Sequence, residues 1–287
     1  MTQNSIDQYN QRKLLESANR IIVKVGTAVS CQGEEWWRAF ANELKKFGTS
    51  KRRFVLIVSG AREFGNRQLQ TESIQAGMDE ERHHKTYCCR GQTSLTALTV
   101  SILADVGIDA AQLLVRYSDV VSTEENVAIT TLLDDLVTSG AMPILNEDNF
   151  SGKGIKKDWD NDQLTAWVAK LWKADLVVFL TDIAGVFDAD PQHVATATLL
   201  RNPSISDLKK MRFHASEQPT KYGRGGMASK ARAASTIASN GMASVIMNGI
   251  EIRPLLRLSS GVNCTVVLPL SKQSVRATQP FENGEFA

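Results

Sequence analysis

The sequence predicts an α/β protein whose parallel sheet is covered on both faces, and three observations predict it. Short aliphatic or β-branched runs alternate along the chain with longer amphipathic segments, glycine-bearing turns directly follow several of the runs, and no apolar run approaches a membrane span. The runs are Arg20–Lys24, Phe54–Val58, Ala141–Leu145, Leu176–Thr181 and Ala243–Met247. Each is apolar on both alternating faces, as strands buried on both sides are. Between them, Glu35–Lys46, Thr93–Asp105, Glu124–Thr138, Asp162–Lys173 and Met227–Asn240 carry apolar residues at three- and four-residue spacing, which predicts helices.

With 287 residues, 43% of them hydrophobic and 22% charged, the chain is long enough to bury one large core. Residues 17–271 are read as one domain, with 1–16 and 272–287 as flexible tails. Two polar stretches, Gln68–Lys85 and the proline-bearing Pro191–Arg224, are read as excursions or lids outside the core. The 33 Lys+Arg against 31 Asp+Glu leave a net charge of only +2, which gives no broad field for nucleic acid or an anionic membrane. The polar amino terminus lacks the apolar segment of a secretory signal, so a cytoplasmic chain is expected.

Cys31, Cys88, Cys89 and Cys264 show no metal-ligand spacing and are read as reduced thiols packed as small hydrophobes. His83-His84 falls in the first polar stretch and is read as part of a solvated loop. No metal site is assigned to protein side chains. Trp36-Trp37 is read as core and interface.

Chemistry is sought first at the glycine turns, because backbone N–H groups after a strand converge on phosphate where a helix begins. Three such turns stand out: Gly26-Thr27, Ser59-Gly60-Ala61 and Gly223-Arg224-Gly225-Gly226. None fits a P-loop or a dinucleotide fingerprint. Lys24 closes an otherwise apolar strand, where it either reaches a polyphosphate in the crevice beyond the sheet or snorkels to water. Lys230 stands one turn into the helix after the last glycine turn, with the same two readings. Asp160-Asn161-Asp162 opens another helix, either as capping or as acids that orient lysines. Thr181-Asp182 ends the following strand.

Taken in order, Val23–Thr27, Val58–Ala61, Gly91-Gln92, Pro143–Glu147, Asp160–Asp162, Leu180–Phe187 and Gly225–Lys230 resemble the amino-acid-kinase superfamily, and within it the glutamate 5-kinases. The resemblance covers about residues 20–268. It implies a three-layer αβα sandwich with a mainly parallel central sheet, the acceptor on the N-terminal part (about 17–160) and ATP on the C-terminal part (about 161–271). It further implies an ATP-dependent phosphotransferase, using ATP with Mg²⁺, that phosphorylates the γ-carboxylate of glutamate or a related small acid in amino-acid or proline biosynthesis. Lys24, Asp162 and Lys230 would be catalytic. Lys24, Gly26, Thr181, Asp182, Arg224, Gly225, Gly226, Met227 and Lys230 would bind ATP. Ser59, Gly60, Ala61, Arg62, Asn146, Asp148, Asn149 and Asn161 would surround the acceptor.

Two departures bear on the acceptor. Where glutamate 5-kinases usually follow S-G-A with small apolar residues, this chain has Arg62-Glu63-Phe64. Where they read N-E-N-D, it has Asn146-Glu147-Asp148-Asn149. Arg62 suits an additional carboxylate or phosphate, or else pairs at the surface. N-acetylglutamate, aspartate, a hydroxyl or phosphate acceptor, and a binding protein without turnover remain alternatives. The resemblance also implies a homo-oligomer. The RNA-associated PUA module of many bacterial relatives is not expected after Val262–Pro269.

Overall fold

β1 (Arg20–Val25) lies inside one sheet with order β3-β4-β2-β1-β5-β6-β7, the seven strands found among the described residues. The computed structural model describes residues 11–48, 52–68, 79–148, 159–191, 193–210 and 226–269. After β1 come α1 (Thr27–Ser30), α2 (Glu34–Phe47), β2 (Arg53–Val58), α3 (Ala61–Gln68) and α4 (Glu80–Asp105). Then follow β3 (Ala110–Val115), α5 (Tyr117–Val121), α6 (Thr123–Ser139), β4 (Met142–Glu147) and α7 (Asn161–Trp172). The remainder is β5 (Leu176–Thr181), α8 (Ile205–Lys210), α9 (Met227–Ser239), β6 (Ala243–Asn248), α10 (Pro254–Ser260) and β7 (Cys264–Val267). All pairings are parallel except β6 with β7.

Side-chain alternation along β1 divides the core into two layers. Ile21, Val23 and Val25 join Leu56, Val178 and Val245 under α2, α4 and α10, through Trp36, Trp37, Phe40, Leu95 and Leu255. Ile22 joins Ile57, Phe179 and Ile246 under α6, α7 and α9, through Leu133, Leu164, Trp172 and Ile237. The result is the expected three-layer sandwich. Lys24 shares the parity of Ile22, so the pleat aims it at the layer that carries α7 and α9.

Chain order reverses at β1. From β1 the chain moves outward on one side through β2 and later β3 and β4, then returns to the opposite side as β5. Such a switch point opens a crevice beyond the carboxyl ends of the two strands. Gly26 follows β1 there, and its N–H donates to Leu180 O at 2.9 Å. A methyl group at position 26 would meet that oxygen at 2.8 Å, so a side chain would wedge β1 from β5.

The structure corrects several expectations. The polar stretch read as a loop ends in α4, which begins at Glu80 with Asp79 as its N-cap. His83 and His84 are therefore helical and half-buried, with the His83 ring edge-on to Tyr87 at 6.2 Å. Pattern reading missed this half of α4 because its charged face hides the few contacts that hold it. Residues 11–17, assigned partly to a tail, are helical, and Leu15 is fully buried. Gln11 ties them to Val262 through two hydrogen bonds of 2.9 Å.

Within the second excursion, α8 buries Ile205 and Leu208, so part of it packs as core. Of the cysteines, Cys88 and Cys264 are buried and none is in a disulfide among the described residues, but Cys89 is exposed. No helix among the described residues is long and apolar enough to cross a membrane.

Candidate active site

Three charged side chains from three elements converge beyond β1. Lys24 Nζ lies 2.8 Å from Asp162 Oδ1, and Lys230 Nζ lies 3.2 Å from Asp162 Oδ2. Exposure is 4% for Lys24, 1% for Asp162 and 5% for Lys230, so Lys24 does not snorkel to water. Burial pulls Lys24 below the ordinary lysine range, against the attraction of Asp162. For Asp162, burial opposes ionisation, yet the two ammonium groups outweigh it together and hold the carboxyl below its usual range.

Local sequence sets this geometry. Asp160 is the N-cap of α7, its Oδ1 accepting from the N–H groups of Asp162 and Gln163 at 2.9 and 3.0 Å. That cap fixes the first turn and places Asp162 at its second position, facing Lys24. Within the D-N-D run, Asp160 caps the helix and Asp162 pairs with both lysines. Burial and the neighbouring Asp162 raise the Asp160 pKa. α9 follows Gly226, an N-cap without side-chain help, and among the described residues no atom lies within 4 Å of where its Cβ would stand. Backbone can therefore approach a ligand closely there.

On the other side of Asp162, the expected acceptor residues meet. Asn161 Nδ2 donates to Asn146 Oδ1 at 2.7 Å, and the Glu147 N–H donates to Asn161 Oδ1 at 3.1 Å. Asn146 Nδ2 in turn donates to Gln92 Oε1 at 2.6 Å. β4 runs two residues beyond its sequence reading, and that extension carries Asn146 and Glu147 into the sheet. Ser59 is anchored by its N–H to Val25 O at 3.0 Å. Gly60 has φ of +124° and packs against Ser30, whose hydroxyl would lie 2.5 Å from a Cβ there. Ala61 opens α3 and is buried.

Other residues stand apart or outside the description. Arg62 is exposed and makes no ion pair among the described residues, whereas Glu63 pairs with Arg67 at 3.5 Å. Asp148 donates its N–H to Val115 O at 2.9 Å, beside the end of β3. Thr181 Oγ1 donates to Asp182 Oδ1 at 3.0 Å at the end of β5, and Met227 is the first residue of α9. Asn149, Arg224 and Gly225 lie outside the described residues.

Sequence reasoning left out Gln92 and Ser229 as site residues, although both sit inside the motifs that carried the resemblance. Each is buried and bonded to a site residue through its side chain. Polar residues in the middle of an apolar helical face were the available signal.

Residues 19–248 match the amino acid kinase family. The chain belongs to that family. It is 27% identical over 267 residues to glutamate 5-kinase 2 of Rhizobium meliloti (strain 1021), covering 91% of this chain and 98% of that protein. It is 30% identical over 281 residues to the glutamate 5-kinase of Thioalkalivibrio sulfidiphilus, covering 96% of this chain and 73% of the relative. For the Nitrosomonas eutropha glutamate 5-kinase the identity is 32% over 258 residues, covering 87% and 67%. Among solved structures, the isopentenyl phosphate kinase of T. acidophilum in a product complex has a TM-score of 0.56 at 16% identity, over 86% of this chain and 99% of that one. That likeness concerns the fold. With family and relatives over this span, the chain is an ATP-dependent kinase.

Proposed function

We propose that this kinase transfers the γ-phosphoryl group of ATP to the γ-carboxylate of glutamate or a closely related acid, giving an acyl phosphate and ADP. The observation that carries the reading is the buried Lys24–Asp162–Lys230 arrangement at the switch point, with the Asn146–Asn161 pair beside it. An ionised carboxylate oxygen attacks the γ-phosphorus while the bond from phosphorus to the bridging oxygen breaks, and ADP leaves with that electron pair. No proton has to be removed from the acceptor at neutral pH. Catalysis is then alignment and neutralisation of charge.

Lys24 and Lys230 supply the positive charge at the transferring group. Asp162 holds both in place, and with each oxygen engaged by a lysine it serves as their orienter. ATP enters as its Mg²⁺ complex, whose metal takes ligands chiefly from phosphates and water. Gly26 and Gly226 let backbone approach the phosphates, and Thr181, Asp182 and Met227 border the nucleotide. Ser59, Gly60, Ala61, Asn146, Asp148 and Asn161 border the acceptor, with Asn149 beyond the described segment.

A second reading is favoured by one observation: the exposed Arg62, two residues past Gly60, has no ion-pair partner among the described residues. An acceptor with an additional anionic group would suit it. ADP release measured across glutamate, N-acetylglutamate, aspartate and phosphorylated small acids decides between the readings. Preference for free glutamate, kept in Arg62→Ala, supports the first. Preference for a more anionic acceptor, lost in Arg62→Ala, supports the second.

A further inference from the structure

The first turns of α7 and α9 touch, and one hydroxyl joins them. Ser229, the third residue of α9, is 4% exposed, and its Oγ donates to Asp160 Oδ2 at 2.6 Å. Asp160 uses its other oxygen to cap α7. Gln163 reaches back across the same joint, with Nε2 3.3 Å from both Ser229 O and Ser229 Oγ. Two residues after Asp160 and one after Ser229, Asp162 on α7 and Lys230 on α9 meet at 3.2 Å. Thus the aim of Lys230 is set where the two helix starts touch.

A helix cap needs one carboxylate oxygen, and Asp160 devotes its second to a different helix. A short, charge-assisted bond of this kind between buried groups is strong and directional. It also has a neighbour on each side. Toward α9 it reaches the Gly226–Lys230 turn. Toward α7 it adjoins Asn161, whose side chain holds Asn146 at 2.7 Å, and Asn146 holds Gln92 at 2.6 Å. Buried polar contacts therefore lie on both sides of the site, joined at the start of α7 through the backbone from Asp160 to Asn161, and α9 takes part through Ser229 and Lys230.

We propose that Ser229 is a positioning residue: its hydroxyl docks the start of α9 on Asp160 and conveys ordering at the Gly226–Lys230 turn to the Asn161–Asn146 pair. The inference rests on the proposed division of the site, with nucleotide on the α9 side and acceptor on the α7 and β4 side.

The test compares Ser229→Ala, Ser229→Cys and Ser229→Thr in the full chain. Cysteine keeps the size but donates poorly, and threonine keeps the hydroxyl. One readout is steady-state kinetics with ATP and the best acid of the acceptor panel. The other is amide hydrogen exchange at segments 159–165 and 226–239, with and without a non-hydrolysable ATP analogue. In Ala and Cys, kcat should fall by about 10–100-fold through misalignment of Lys230. ATP KM should change much less, and Thr should restore most of the rate.

In the parent chain the analogue should protect both segments. In Ala and Cys, protection should remain at 226–239 and be lost at 159–165. Unchanged protection at 159–165 in Ala and Cys overturns the proposal, as does a kcat within about threefold of the parent, a change too small for lost alignment. If the parent phosphorylates no acid on the panel, the acceptor reading fails on its own, and the exchange comparison still decides the role of Ser229.

Discussion

Lys24 Nζ sits 2.8 Å from Asp162 Oδ1, and neither side chain is more than marginally exposed. A lysine at the end of an apolar strand is tolerable here only because the acid across from it is fixed by its own helix cap. Asp162 also serves Lys230 at 3.2 Å, so one carboxylate is shared by two buried cations.

Replacing Asp162 by Asn leaves two ammonium groups buried without their counter-charge. The unfolding free energy should fall by about 3–5 kcal/mol. Lys24→Met should cost less, because Asp162 keeps Lys230. Urea unfolding of the two variants checks the order, and equal losses would mean that Asp162 is not the shared partner.

Gly91 on α4 crosses α3 so closely that a Cβ would collide with Ala61 O and the Gly65 nitrogen. Both obstacles are backbone and cannot rotate away. Gly91→Ala should destabilise by at least about 1–3 kcal/mol, as overpacking does. It should also weaken acceptor binding, because Ala61 and Gln92 flank the crossing. Thermal melting and the acceptor KM measure the two effects.

Gln92 holds the Asn146 amide in one orientation and is itself bonded to Thr96 Oγ1 at 3.1 Å. In Gln92→Leu the Asn146 donor loses its partner at a cost of about 1–3 kcal/mol. Acceptor KM should rise by about tenfold, the equivalent of about 1.4 kcal/mol. ATP KM should stay near the parent value, and steady-state kinetics with each substrate varied separates the two.

Glu43 on α2 accepts from the Leu256 and Leu255 N–H groups at the start of α10, at 2.7 and 3.4 Å. Burial outweighs those bonds and raises its pKa to about 7. A carboxyl that binds its proton more tightly when folded stabilises the fold fully below its ordinary range near 4.5, and that contribution is lost as pH rises through about 7. Glu43→Gln should flatten this part of the stability profile. The melting temperature followed from pH 5 to pH 8 in parent and variant checks the sign, which is wrong if the variant loses stability as steeply as the parent.

The sheet interior was legible in the sequence because strands buried on both faces read as continuous apolar runs, as Leu176–Thr181 does. Ala110–Val115 was not, being a half-buried edge strand with few β-branched residues. Cys264–Val267 is only four residues long and pairs antiparallel. At the site, Lys24, Asp162 and Lys230 stood out as charges at strand and helix ends. Their shared geometry depends on pleat parity and on the Asp160 cap, which no spacing reveals. Ser229 and Gln92 were hidden for a related reason: a buried hydroxyl or amide on a helix looks ordinary until its partner on another element is known.

On the proposed reading, the buried lysine–aspartate–lysine arrangement drives phosphoryl transfer to a carboxylate. Trapping with hydroxylamine, which converts an acyl phosphate to a hydroxamate, tests it most directly alongside ADP release. With glutamate or a related acid, hydroxamate should form in step with ADP, and Lys24→Ala and Lys230→Ala should each abolish both. Acceptor-dependent ADP release without hydroxamate, or undiminished turnover in either variant, would contradict the account.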